Sequence, residues 1–367
     1  MSVNRTDQGG YDYLVLVPAV LLVCLGLIAI YSASSYLAEK EVGDSYFYLK
    51  RQAFFGCLGI FFLIAAKNIP PGFYIRLVYP ALFISLILLI AVLIPGIGTK
   101  VGGATRWIRI GPLSIQPSEV AKLSLAMYIA YSMAKKGSVM SSFSKGFLPH
   151  ILVAGLFMGL ILLQPDMGTT VIIGGWLMIL LFVGGLNILQ LMLMGILACP
   201  VVYWLIFSTK YRVDRWTAFL NPWEDPQGLG FQIIHSFLAF GSGGVLGVGL
   251  GNSKQKLLYL PEPHTDFVLS IVAEELGFIG VLVIIVLFSI LIIRGIKISL
   301  NAPDLYSSYL ALAVSALIGL QVIINMGVVM GLLPTKGLTL PFLSYGGSSL
   351  LVNLVGVGML LSISARS

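Results

Sequence analysis

The sequence predicts an all-α, polytopic integral membrane protein with about ten transmembrane helices and one large extracytoplasmic loop. Composition points there first. Of 367 residues, 58% are hydrophobic and 10% charged, where a soluble chain carries roughly 25% charged residues. Mean hydropathy is +0.97. The apolar residues also fall into runs near the ~20 residues needed to cross a bilayer. The polar residues sit between those runs, and no polar block is long enough for a separate soluble domain. Residues 1–367 therefore read as a single transmembrane domain.

The first span runs from Tyr13 to about Ser34. It is longer than a signal-peptide core, lacks a small-residue cleavage site, and reads as retained. A short second span follows Lys50-Arg51, from Gln52 to Ala66, and those two cations are expected to snorkel. The third covers Leu77–Ile94. A glycine-rich, basic stretch, Pro95–Pro117, carries Lys100, Arg106, Trp107 and Arg109. The fourth helix starts at Gln116-Pro117-Ser118-Glu119, with Ser118 expected as N-cap and Glu119 in the first turn. Lys122 lies three residues further on the same face. The fifth span is Leu148–Leu163. Thr169–Ser208 holds no charged residue and reads as two spans broken near Gly184–Asn187. A long loop over about residues 209–265 contains Arg212 and Arg215. The eighth span is Phe267–Ile293, the ninth about Leu305–Leu333 and the tenth about Phe342–Ser364. No internal repeat supports a two-fold transporter architecture.

Net charge is +7. In so apolar a chain, these cations are expected to meet lipid phosphates rather than nucleic acid. Cys24, Cys57 and Cys199 lie in apolar segments without disulfide or metal spacing. The glycines of 241–251 lack the strand and helix of a nucleotide-binding loop. Trp107, Trp216 and Trp223 read as interfacial aromatics.

Against this apolar background, residues 260–275 stand out. Glu262, His264 and Asp266 crowd the entry to the eighth span, and Asp266, Ser270 and Glu274 are spaced to share a helix face. Carboxylates at the mouth of a membrane helix are costly unless paired or facing water, so they mark function. His264 alone reads as a loop histidine rather than a metal ligand. The distribution of cations slightly favours a cytoplasmic N-terminus. Arg106, Arg109, Glu119, Lys122, Asp166, Arg212, Arg215, Asp266 and Lys336 then share the outer face. Cations interleaved with carboxylates there suit a lipid-linked pyrophosphate together with an acid–base step.

The chain also resembles the bacterial SEDS family (shape, elongation, division and sporulation) over nearly its whole length. The motifs are RWI at Arg106–Ile108, QPSEVAK at Gln116–Lys122, QPDMGT at Gln164–Thr169 and FLNPWEDPQGLGFQ at Phe219–Gln232. They continue with YLPEPHTDF at Tyr259–Phe267, EELG at Glu274–Gly277 and PTKGLTLPFLSYGGSS at Pro334–Ser349. It looks most like the division branch, with the sporulation branch close. The resemblance implies a peptidoglycan glycosyltransferase that polymerises lipid II at the outer face of the bacterial cytoplasmic membrane, at the septum. It places the family's essential aspartate on Asp266 and its fourth-helix Glu and Lys on Glu119 and Lys122. Arg106, Arg212, Arg215, Glu262, His264 and Lys336 are further candidates for substrate contact or support. The implied partners are a class B penicillin-binding protein and other division membrane proteins. No cofactor is certain; a divalent cation, Mg²⁺ or Mn²⁺, is compatible with pyrophosphate departure. A lipid II flippase and a non-catalytic scaffold are the alternatives.

Overall fold

A computed structural model describes residues 10–101, 103–111, 113–256, 264–335 and 337–366. Twelve α-helices and a small sheet follow one another along the chain. They are α1 (Tyr13–Val42), α2 (Phe47–Asn68), α3 (Pro71–Ala91), β1 (Gly98–Val101), β2 (Ala104–Ile110), β3 (Leu113–Ile115), α4 (Pro117–Lys136), α5 (Leu148–Leu163) and α6 (Met167–Val183). Then come α7 (Ile188–Phe207), α8 (Lys210–Leu220), α9 (Phe231–Gly243), α10 (Val268–Leu300), α11 (Leu305–Val329) and α12 (Gly347–Ser364). Ten of these helices coincide with the ten expected spans. Among the described residues, eight helices are long and apolar enough to cross a membrane unaided. Of the other two, α6 is apolar but has 17 residues. Helix α4 carries Glu119, Lys122 and several serines, yet it is buried along most of its length. It packs between α3 and α11, so protein rather than lipid surrounds its polar groups.

Several boundaries differ from the expectation, each for a local reason. Helix α2 starts at Phe47, so it has 22 residues and is not short; Lys50 and Arg51 lie in its first turns. Helix α3 starts at Pro71 rather than Leu77, because proline's fixed φ and missing N–H suit a first helical position. The same rule starts α4 at Pro117, with Gln116 as N-cap; Ser118 lies inside the first turn and is not the cap. Helices α1 and α10 extend past the apolar stretches, to Val42 and Leu300. Helix α11 ends at Val329 and α12 begins only at Gly347, which frees the segment between them as a loop.

Two stretches expected to be irregular are ordered. Pro95–Pro117 contains an antiparallel sheet of order β1-β2-β3. Gly98 pairs with Ile108 and Ile108 with Ile115. Alternation along β2 turns Ala104 and Ile108 inward, with half-buried Arg106 between them, and leaves Arg109 exposed. The long loop holds α8 and α9. In α8, Val213, Trp216 and Leu220 recur at helical spacing beneath a charged face, too short a stretch to read as a span.

One buried cluster joins α1, α10, α11 and α12, and a second joins α4, α5, α6 and α11. In the second, Trp176 donates to the Ala313 carbonyl at 2.8 Å. Helix α12 lies against α2 so closely that a Cβ on Gly358 would stand 2.5 Å from the Leu63 carbonyl, as small residues allow in membrane packing. Helix α7 is nearly bare of internal contacts, with apolar side chains facing outward. Cys24, Cys57 and Cys199 are exposed on the apolar helices.

Hydrogen bonds sort the helix ends into two groups. At one end Asp12, heading α1, meets Arg294 of α10 at 2.7 Å and donates its N–H to Ser364 of α12. At the other end Gln52 of α2 bonds the backbone of Ser344 and Gly346, and the Gln116 N–H reaches Ser348. The sheet, Asp266 and the loop before α12 belong to this second end.

Candidate active site

Asp266 lies in a turn two residues before α10, not on it. The expected shared face of Asp266, Ser270 and Glu274 is therefore not formed. Ser270 faces Ser236 of α9 at 2.9 Å, and Glu274 accepts from the backbone N–H groups of Lys254 and Gln255. Asp266 is instead seated by the end of α11 and the loop that follows. Asn325 donates one amide to the Asp266 carbonyl at 3.2 Å and to the Leu338 carbonyl at 2.6 Å. A Cβ on Gly337 would come within 3.3 Å of Asp266 Oδ2, so bare backbone lies against the carboxylate. Asp266 itself is half-buried.

Cations converge on the same end. Arg215 of α8 donates to the Thr335 carbonyl at 3.2 Å, with its guanidinium over Tyr211. That places it on the loop that passes Asp266. Arg106 of β2 holds the α5–α6 turn by donating to the Gln164 carbonyl at 3.3 Å and to the Pro165 carbonyl. It lies 4.0 Å from Asp166, which caps α6 through Thr169. Arg212 differs: it donates to the Leu205 carbonyl at 2.7 Å and closes the last turn of α7. Its guanidinium binds the end of α7. Glu262 and Lys336 lie outside the described residues.

Glu119 and Lys122 form an ion pair of 2.8 Å with relative exposures of 5% and 3%. The second carboxylate oxygen of Glu119 and the hydroxyl of Ser118 are buried without a partner. Acceptor capacity is therefore left over at the head of α4, a few residues from the Gln116–Ser348 bond that joins α4 to α12.

His264 is 4% exposed. Its ring packs tilted against Tyr48 at 4.3 Å and meets Tyr345 edge-on at 5.5 Å. Its carbonyl accepts from the Tyr345 N–H at 2.8 Å. Burial pushes the imidazole pKa down to about 4, so it is neutral at pH 7. Burial also raises the Tyr345 phenol, opposed by Arg51, which is hydrogen-bonded to it, and by Arg109. His264 thus forms part of an aromatic wall beside Asp266. Among the described residues, no three His, Cys, Asp or Glu side chains converge; they offer no protein cage for a divalent cation.

The neutral histidine gives a pH signature. Its folded pKa, about 4, lies below the unfolded 6.5, so the unfolded chain binds the extra proton. Its contribution to stability is complete above pH 6.5 and is lost as pH falls through about 4. Across that window the slope is at most about 1.4 kcal/mol per pH unit. Thermal unfolding in detergent between these limits is expected to fall more steeply for the wild type than for His264→Gln. Parallel curves would contradict a buried neutral imidazole.

The sequence alone passed over Asn325, Gln52 and Tyr345. Asn325 and Gln52 are amides in apolar spans, a visible signal, but only the fold shows which carbonyls they hold.

Residues 12–367 match the family model for FtsW, RodA and SpoVE, described as "Cell cycle protein". The chain belongs to the FtsW/RodA/SpoVE family. Among relatives of this family is the "Probable peptidoglycan glycosyltransferase FtsW" of Geobacter metallireducens. It is 47% identical, with 100% of this chain and 97% of the relative covered. Another is the stage V sporulation protein E of Bacillus subtilis, 44% identical over the full length of both. Among solved structures, a chain from a peptidoglycan synthase complex superposes with a TM-score of 0.80 at 31% identity, covering 97% of this chain and 98% of that one. RodA of Thermus thermophilus superposes at 0.71 with 29% identity, covering 98% of each. The FtsW/RodA/SpoVE fold, with its multi-pass apolar helices, is therefore the fold of this membrane protein.

Proposed function

We propose that the chain is a peptidoglycan glycosyltransferase that polymerises lipid II during division, with Asp266 as general base. The observation that carries this reading is the seating of Asp266. Its carbonyl is held by Asn325 and its carboxylate lies against the Gly337 backbone, at the end that also carries Arg106, Arg215 and the Glu119–Lys122 pair. The names of the FtsW relatives and their identity over the full length support the same activity.

The acceptor sugar's 4-hydroxyl is a weak nucleophile at neutral pH. A carboxylate within hydrogen-bond reach takes its proton as the oxygen attacks the donor's anomeric carbon. The bond from that carbon to the lipid pyrophosphate breaks, and the pyrophosphate leaves with the electron pair. Direct displacement turns the α-linked donor into a β-glycoside. Cations fixed in advance stabilise the charge growing on the leaving group. Arg215 and Arg106 are the described residues best placed for this, with Lys336 proposed on sequence grounds. Arg212 is proposed only as support for α8. A divalent cation would supply further charge neutralisation on the pyrophosphate oxygens.

The site end is proposed to face outward from the bacterial cytoplasmic membrane, at the septum. A class B penicillin-binding protein is the proposed partner, supported by the likeness to a chain described with coordination of polymerization and crosslinking.

The test compares the two ends of the bundle. Neutralising Arg106 or Arg215 is expected to reduce polymerisation of externally supplied lipid II sharply. Neutralising Lys67, Arg76, Lys135 or Lys136 is expected to leave it nearly intact, once insertion and partner binding are verified. If the second set proved as damaging as the first, the one-face reading would fail and a flippase would become the better account.

A further inference from the structure

Helix α10 is broken at Gly277, where φ is 66° and ψ −163°. A break strands backbone groups, and in a membrane protein these must find partners inside the protein. One loop supplies partners for four of them. The Val248 and Gly249 N–H groups donate to the Glu274 and Glu275 carbonyls, each at 3.0 Å. The Phe278 and Ile279 N–H groups donate to the Gly244 and Val245 carbonyls at 2.9 and 3.3 Å. The two backbones touch: a Cβ on Gly277 would stand 2.3 Å from the Gly247 nitrogen.

The same loop then locks the two glutamates. Ser253 and the Lys254 and Gln255 N–H groups donate to the Glu274 carboxylate. Lys256 Nζ lies 3.0 Å from Glu275 Oε1, 3.1 Å from Ser32 Oγ of α1 and 2.6 Å from the Gly251 carbonyl. Ser32 Oγ reaches the two Glu275 oxygens at 2.6 and 2.7 Å. Ser32, Lys256 and Glu275 are all buried. No step of glycosyl transfer uses them.

Their place in the fold suggests their use. The break uncouples a short half-helix, Val268–Leu276, from the long remainder of α10. Asp266 lies in the turn two residues before the half-helix's first residue, Val268, which stands about 10 Å above Glu275 at 1.5 Å per residue. The long half cannot set the height of the Asp266 carboxylate through a continuous helix, so a lower anchor acts together with the Asn325 contact in setting it. We infer that the Lys256–Glu275–Ser32 cluster is a positioning element that fixes the half-helix, and with it Asp266, against α1. This rests on Asp266 being the catalytic base. A buried ion pair suits the task because its geometry sets a register that apolar packing leaves loose. Supporting contacts of this kind keep a reacting group within tolerance.

The experiment measures steady-state polymerisation of lipid II by the full chain with its partner, together with hydrogen–deuterium exchange over residues 264–270. Misplacing a catalytic group by 1 Å can cost about 100-fold. Lys256→Met and Glu275→Gln are therefore expected to lower kcat by about 10–100-fold, with KM unchanged and exchange at 264–270 faster. Lys256→Arg, which keeps the pair, is expected to restore kcat. The double variant Lys256→Met/Glu275→Leu strands neither partner of the pair and is expected to regain thermal stability, but neither kcat nor slow exchange. If kcat and exchange recover together with stability in the double variant, the cluster is merely structural and the inference is wrong. The same holds if the single variants keep wild-type kcat per folded molecule. Should the single variants fail to fold, the double variant decides. A wild type that makes no polymer would instead defeat the proposed activity, while the exchange measurement still judges the clamp.

Discussion

Asp266→Asn is expected to reduce polymerisation of lipid II by about 10²–10⁴-fold, the usual cost of losing a general base, while the protein folds and binds its partner normally. The substitution is nearly isosteric. The contact that seats this residue from α11 runs through its backbone carbonyl to Asn325 and survives the change. What disappears is the ability to take a proton from the acceptor hydroxyl. KM for lipid II should change little, because the interaction lost is one made in the transition state. Glycan strands made at near wild-type rate by purified Asp266→Asn would remove Asp266 from the role of base. A large rise in KM at constant kcat would recast it as a binding residue.

Breaking the Glu119–Lys122 pair is expected to be the most costly single change to stability. Both side chains are buried and 2.8 Å apart, and the second Glu119 oxygen already lacks a partner. Lys122→Met would strand a carboxylate between α3 and α11, costing about 3–5 kcal/mol. Glu119→Gln would strand the ammonium instead. The double variant Glu119→Gln/Lys122→Met leaves neither charge alone and should recover much of the loss. Unfolding of the four proteins in a double-mutant cycle measures the coupling. Simple additivity would show that the two residues act independently, and that Lys122 is held by something other than Glu119.

Much of this architecture was legible because the bilayer imposes it. Ten apolar or capped runs became ten helices, since a lipid-exposed backbone has few other ways to satisfy its polar groups. The errors fall where that constraint relaxes. The sheet at residues 98–115 is hard to tell from a glycine-rich loop because its strands are short and, among its described side chains, only Ala104 and Ile108 are buried. Helices α8 and α9 were hidden inside a stretch whose charges and glycines resembled a loop. At the site, the residue types and the face they share could be read from the sequence; their partners could not. The i, i+3 spacing of Glu119 and Lys122 gave their contact directly. The spacing of Asp266, Ser270 and Glu274 misled, because α10 begins after Asp266 and Glu274 is captured by a loop some twenty residues earlier in the chain. Arg212 was indistinguishable from Arg215 in sequence, yet one closes α7 and the other reaches the loop beside Asp266. No local pattern announces the break at Gly277, since glycine is common in membrane helices.

The most direct measurement supplies lipid II, already accessible at the site end, to purified protein with its penicillin-binding partner in detergent, and resolves the products by length. Asp266-dependent accumulation of polymerised glycan with release of the lipid pyrophosphate is the predicted result. No polymer under these conditions, with lipid II instead crossing the bilayer when the same protein is placed in vesicles, would contradict it and establish transport. No polymer and no transport, with the partner still bound, would leave a scaffold.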